Sequence, residues 1–134
     1  PSEIWQGVNE VLAVTNVFLP NEVEICSLTG KNGVEQAINS LEPHVETLSV
    51  KRGALGAIGA RGGEKVKVGS IPVRVQDTVG AGDSFDAGFL YGYLNDWPLE
   101  KSLQLGVICG GLSTQLAGGT KAQPTLEEAL QYVS

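Results

Sequence analysis

The spacing of apolar residues divides the chain into helix-like ends around a strand-like middle. Ile4, Val8 and Leu12 share one helical face over residues 1–13, with Trp5 beside them. "TNVFLP" is a short apolar run rich in β-branched residues and ended by Pro20, which predicts a buried strand. "NEVEICSLTG" then reads as a short helix, with Asn21 suited to the N-cap and Gly30 to a left-handed C-terminus. A second helix is expected from Asn32, carrying Val34, Ala37, Ile38 and Leu41 inward until Pro43 stops it. From Val45 the period shortens and four strands are predicted: "VETLSVKRG", "ALGAIGA", "EKVKVGS" and "IPVRVQD". Gly62-Gly63 suits a hairpin turn between the second and third.

Helices return after residue 80. Phe85, Gly88, Phe89, Gly92 and Tyr93 line one face, and its glycines would let a neighbouring element approach closely. Pro98 suits the first position of the next helix. That helix is apolar nearly all round from Leu103 to Leu112 and should be buried. Thr125-x-x-Glu128 forms a capping box for a last short helix. This order of elements implies an α/β layered fold. A helix at the first residues, with no strand to feed it, makes the chain read as cut, not begun.

The bulk properties narrow the class. At 134 residues, 42% hydrophobic and 18% charged, the chain suits one modest domain with a real core. A net charge of −6 makes a nucleic-acid partner an unsuitable match. Six of the nine basic residues (Lys51, Arg52, Arg61, Lys65, Lys67, Arg74) fall within one stretch of strands and turns. They form either a solvated edge or a positive wall beside a bound polyphosphate. Cys26 and Cys109 sit in apolar contexts without a CxxC, and read as small buried thiols in a reducing compartment. His44 is the only histidine, so no Cys/His metal cluster is expected. No run of 18 apolar residues occurs and the opening residues do not read as a signal peptide, so the expectation is a cytoplasmic protein without a membrane partner.

The candidate chemistry lies in "DTVGAGDSFDAGF", residues 77–89. A helix N-terminus has unpaired amides and about half a positive charge, which suits an anion. Gly80 and Gly82 remove Cβ atoms that would hold a phosphate away, and Ala81 adds only a methyl. Several amides from 80 to 83 can therefore converge on one anionic oxygen. Asp83 falls in the first helical turn, where a carboxylate is placed to take the proton of an attacking hydroxyl. Taken alone, "GAGD" is equally ordinary capping chemistry. Two rival phosphate motifs fail. No Gly-Lys-Ser or Gly-Lys-Thr occurs for a P-loop, and the third position of a GxGxxG reading is Phe85.

Over its whole length "DTVGAGDSFDAGFL" (77–90) resembles the C-terminal signature of the ribokinase-like, or PfkB, carbohydrate kinases. The resemblance implies Asp83 as the catalytic base toward a sugar hydroxyl. It implies Gly80, Ala81 and Gly82 as the anion hole, with Asp77 and Thr78 contacting nucleotide. "VFLPNEVEICSLTG" (17–30) is similar to a second family block, in which Asn21 and Glu24 belong to the Mg²⁺ and phosphate environment, Glu24 through an indirect contact with the metal. The same tetrapeptide is also a capping box, and Asn32 to Glu35 repeats it. "SVKRGALGAI" (49–58) is similar to the segment beside the nucleotide, making Lys51 and Gly53 nucleotide contacts, or else a solvated lysine and a turn glycine. Val107 stands where the family often carries an asparagine near adenine.

The resemblance implies a three-layer helix–sheet–helix sandwich with a mixed, mainly parallel sheet, present over residues 1–134 as a single partial domain: the C-terminal, nucleotide-binding half, without the sugar-binding half and lid. ATP, Mg²⁺ and a small-molecule sugar are the implied ligands. A nucleotide-binding module without catalysis and a nucleoside kinase are the competing readings. Self-association through exposed sheet edges and helix faces is a further expectation.

Overall fold

The computed structural model describes residues 16–75, 78–115 and 125–133. In order come β1 (Val17–Phe18), α1 (Glu22–Thr29), α2 (Val34–Leu41), β2 (Thr47–Lys51), β3 (Ala57–Arg61), β4 (Glu64–Val68), α3 (Ala81–Leu94), α4 (Leu99–Ser113) and α5 (Leu126–Leu130). The helix expected over 1–13 lies outside the described residues.

The strands form one sheet in the order β1-β2-β3-β4. β1 runs parallel to β2, whereas β2, β3 and β4 are antiparallel neighbours. The expectation of a mainly parallel sheet is therefore corrected among the described strands. Parallel pairing needs a long crossover, which α1 and α2 supply between β1 and β2; the short links after β2 and β3 permit only hairpins. Arg61 pairs with Glu64 across Gly62 and Gly63, whose φ values of 56° and 86° make the tight turn the sequence predicts.

Side-chain alternation assigns the two faces. Leu48 and Val50 of β2 and Ile58 and Ala60 of β3 pack with Ile25, Ala37, Ile38 and Leu41 of α1 and α2. On the opposite face Ala57 packs with Phe85, Phe89, Leu99, Leu103 and Val107 of α3 and α4. Helix–sheet–helix layering results, as expected. Gly59 lets α4 rest on the sheet, since a Cβ there would stand 2.6 Å from Leu103 Cδ1. The glycine face of α3 works in the same way. A Cβ on Gly88 would lie 2.8 Å from the Leu105 carbonyl oxygen and 2.9 Å from Cys109 Sγ.

Several boundaries move. Asn21 caps α1 with a full capping box: its amide donates to Glu24 Oε1 (2.8 Å) and the Glu24 amide donates to Asn21 Oδ1 (2.7 Å). The second Asn-x-x-Glu does not repeat this, because Gly33 is the N-cap of α2 and no side chain caps it. Pro98 is the N-cap of α4 and not its first helical residue. The fourth predicted strand is not formed: residues 71–75 have no regular structure. Pro72 offers no amide to a ladder, and Ile71 packs instead on the core formed by Leu105, Ile108 and Cys109.

The basic cluster is mostly engaged on the protein surface. Arg52 pairs with Glu22 (3.1 Å), Lys65 with Glu42 (3.6 Å) and Lys67 with Glu35 (2.6 Å), and Arg61 donates to the Trp97 carbonyl (3.3 Å). It is largely the solvated edge. Lys51 alone of these lines the cleft described below.

Cys26 is half-buried, short of the burial expected, while Cys109 is buried. Burial pushes the Cys109 thiol up from 9.0 to about 11. An unfolded chain ionises this thiol above about pH 9, so its stabilising contribution is complete below that pH and is lost as pH rises toward 11. Iodoacetamide at pH 8 is expected to modify Cys26 readily and Cys109 only on unfolding, read by peptide mass spectrometry. Equal modification of both in the native chain would contradict this packing of α3 on α4.

Candidate active site

A cleft of about 570 Å³ opens between the C-terminal end of β2, the first turn of α3, the second half of α4 and residues 70–75. It brings together six residues singled out from the sequence: Asn21, Lys51, Gly53, Thr78, Ala81 and Gly82. Val107 lines it as well. Gly80 and Asp83 flank Ala81 and Gly82 in the same turn but are not part of the cleft wall. Glu24 is also outside the wall, its carboxylate held by the Asn21 amide. Asp77 lies outside the described residues.

The turn owes its shape to local rules. Gly80 is the N-cap of α3 at φ 82°, ψ −3°, a left-handed conformation that leads into the helix. The Ala81 amide turns back onto the Thr78 carbonyl (3.2 Å), and the Ser84 amide closes the first helical bond on Gly80 (3.0 Å). Between them the amides of Gly82 and Asp83 have no partner within the helix, as at any helix start. Ala81 and Gly82 thus belong to the first helical turn rather than to the preceding loop. Asp83 is the third helical residue and is exposed.

The charge beside this turn comes from β2. Lys51 Nζ lies 2.8 Å from Asp86 Oδ1, and a Cβ built on Gly82 would stand 4.0 Å from the same nitrogen. One end of the cleft is therefore a helix N-terminus with an ammonium beside it. The other end is apolar and smooth: Ile71, Pro72, Val73, Phe85 and Val107 surround Gly110 and Gly111. A Cβ on Gly111 would meet Ile71 Cγ1 at 2.9 Å, so glycine there lets the 70–75 segment close over α4.

The cleft thus joins an apolar end to a helix N-terminus with a lysine, and its volume lies within the range of small-ligand sites. No group of three carboxylate, His or Cys side chains suited to a metal occurs among the described residues. No described helix is long and apolar enough to cross a membrane.

Apart from Val107, the apolar wall was the part missed from sequence. Residues 71–75 read as a strand, and Gly110-Gly111 as interior helix. Only the paired glycines in an otherwise bulky apolar helix hinted at a close approach there. Asp86 was also missed, because a polar residue on an amphipathic helix is ordinarily a solvated one.

Residues 1–126 match the pfkB family of carbohydrate kinases, and the chain belongs to that family. An uncharacterized sugar kinase of Archaeoglobus fulgidus is 34% identical over 117 residues, covering 87% of this chain and 47% of the relative. The ribokinase of Arabidopsis thaliana, solved with ribose and ATP, superposes with a TM-score of 0.84 at 29% identity, over 92% of this chain and 42% of that one. An Escherichia coli protein described as a ribokinase II, solved with ATP and Mg²⁺, gives a TM-score of 0.84 at 28% identity, over 94% and 41% of the two chains. The fold is thus ribokinase-like, and the chain spans less than half the length of these relatives.

Proposed function

We propose that this chain is the nucleotide-binding part of an ATP-dependent sugar kinase, with Asp83 as general base and residues 80–82 as the anion hole. The observation that carries the proposal is the cleft itself, in which an apolar pocket leads to a helix start with free amides and a lysine. When bound, ATP with Mg²⁺ supplies the phosphoryl group and offsets its charge. The apolar wall around Val107 holds the base by shape, without the side-chain hydrogen bond an asparagine would offer there. Gly80, Ala81 and Gly82 keep the turn open to the phosphate, so that the amides of Gly82 and Asp83 can donate to the oxygens that gain charge during transfer. Lys51 adds a cation at that point, and Asn21, Gly53 and Thr78 shape the rim. Asp77 belongs to the same signature and completes the nucleotide contacts. Asp83 accepts the proton of the sugar hydroxyl as the oxygen attacks. Glu24 acts at second hand: it holds Asn21 in place and would contact a bound Mg²⁺ only indirectly.

Titration of the chain with Mg·ADP, followed by amide NMR, tests the binding half of the proposal. Shifts centred on Gly80, Gly82 and Asp83, with a second group at Val107, Gly110 and Gly111, are the expected result. Unmoved amides at both ends under saturating nucleotide would remove the reading. A coupled assay with a panel of sugars and nucleosides separates a kinase from a module that only binds nucleotide.

A further inference from the structure

The ion pair between Lys51 and Asp86 links the end of β2 to the second turn of α3 across 35 positions of sequence. Its side chains are 16% and 32% exposed, so it is shielded from bulk water on most sides while Lys51 still faces the cleft. An ammonium carries three donors. Asp86 takes one at 2.8 Å, and the same nitrogen stands beside Gly82 with others to give.

Such a pair has an ordinary role, which is to clasp the helix onto the sheet. The position of the cation suggests more. Lysine is a point charge on a flexible four-carbon stem, and it contributes least where its rotamer is free. Asp86 removes that freedom. It also stands one helical turn beyond Asp83.

Resting on the nucleotide-binding reading above, we infer that Asp86 is a positioning residue. It holds the Lys51 ammonium against the first turn of α3, so that Lys51 meets the outermost phosphate oxygens of a nucleoside triphosphate seated at Gly82. Neither residue would contact the nucleoside. The pair therefore sets the preference for a triphosphate over a monophosphate, and a mere clasp would not.

Calorimetric titration of the full chain with Mg·ATP and with AMP, which lacks the outer phosphates, distinguishes these roles. Lys51→Met is expected to weaken Mg·ATP by about tenfold and AMP by less than about twofold, the scale of one charge-assisted contact. Asp86→Asn is expected to weaken Mg·ATP by about three- to tenfold, again with AMP unchanged, and Asp86→Glu to recover most of the loss. Added to Lys51→Met, Asp86→Asn should have no further effect, because it acts only through the lysine. Melting curves show that each variant is folded. Unchanged Mg·ATP affinity in Asp86→Asn, or equal loss for Mg·ATP and AMP, would reduce the pair to a clasp. A wild-type chain with no preference for Mg·ATP over AMP would instead sink the phosphate-binding reading itself, and this inference with it.

Discussion

Replacing Asp83 with asparagine is expected to lower sugar phosphorylation by about 10²–10⁴-fold, while the affinity for Mg·ATP changes by less than about threefold. Asparagine has the same shape and keeps the short polar side chain of the third helical residue. Among the described residues no hydrogen bond or ion pair engages the Asp83 side chain, so the substitution breaks no contact that builds the turn. What is lost is the capacity to take a proton. Rate and affinity should therefore separate, with kcat falling and nucleotide binding preserved. The measurement is a coupled ADP-release assay with the acceptor site in place, alongside calorimetric titration of nucleotide. A variant that keeps most of its turnover would exclude Asp83 as base. One that loses nucleotide binding to the same extent would make it a structural residue of the anion hole.

Gly56→Ala is expected to cost about 2–4 kcal/mol of stability, a fall in melting temperature on the order of 10 °C for a chain of this size. Gly56 has φ 90° and ψ −132°, a conformation that side chains essentially do not adopt. A Cβ there would also fall on the Val68 carbonyl oxygen and approach Gly69 Cα to 2.9 Å. The obstruction is backbone at the end of β4, which cannot turn aside as a flexible side chain would. Gly53, three positions earlier, is the internal control. Its φ is 56°, but a Cβ there would meet nothing within 4 Å. Gly53→Ala should cost only about 1–2 kcal/mol, the left-handed penalty alone. Thermal melts of the two variants side by side decide the matter. If Gly56→Ala lost no more than Gly53→Ala, the close packing of the β2–β3 link on β4 would be wrong. Because Gly56 also lines the cleft, its loss should weaken nucleotide binding as well as the fold.

The elements read correctly from the amino-acid sequence are those whose determinants lie within a few residues of one another. The Asn21–Glu24 capping box, the Gly62-Gly63 hairpin and the inward face of α2 all depend on contacts between near neighbours. The turn at Gly80–Asp83 is of the same kind, and so the glycine that leads into α3 and the acid in its first turn could be read from their spacing. The errors share one cause too. "IPVRVQD" has the composition of a strand, but Pro72 and the groove above Gly111 decide that residues 71–75 cover α4 instead. Among the described strands the sheet is mixed, as expected, but not mainly parallel, since the length of each link and not strand composition sets the direction of pairing.

By itself, then, the sequence determined the layered α/β order, the Asn21 and Thr125 caps, the glycine-and-acid pattern of the turn at 80–83 and the family. Only the tertiary structure decided that the apolar half of the cleft is built from residues 71–75 and 107–114, and that Lys51 spends its charge on Asp86 beside Gly82. Local backbone preferences act over one turn of chain and can be read along it. A contact across 35 residues exists only because the sheet and α3 pack together, and no pattern along the chain records the distance that packing leaves between them.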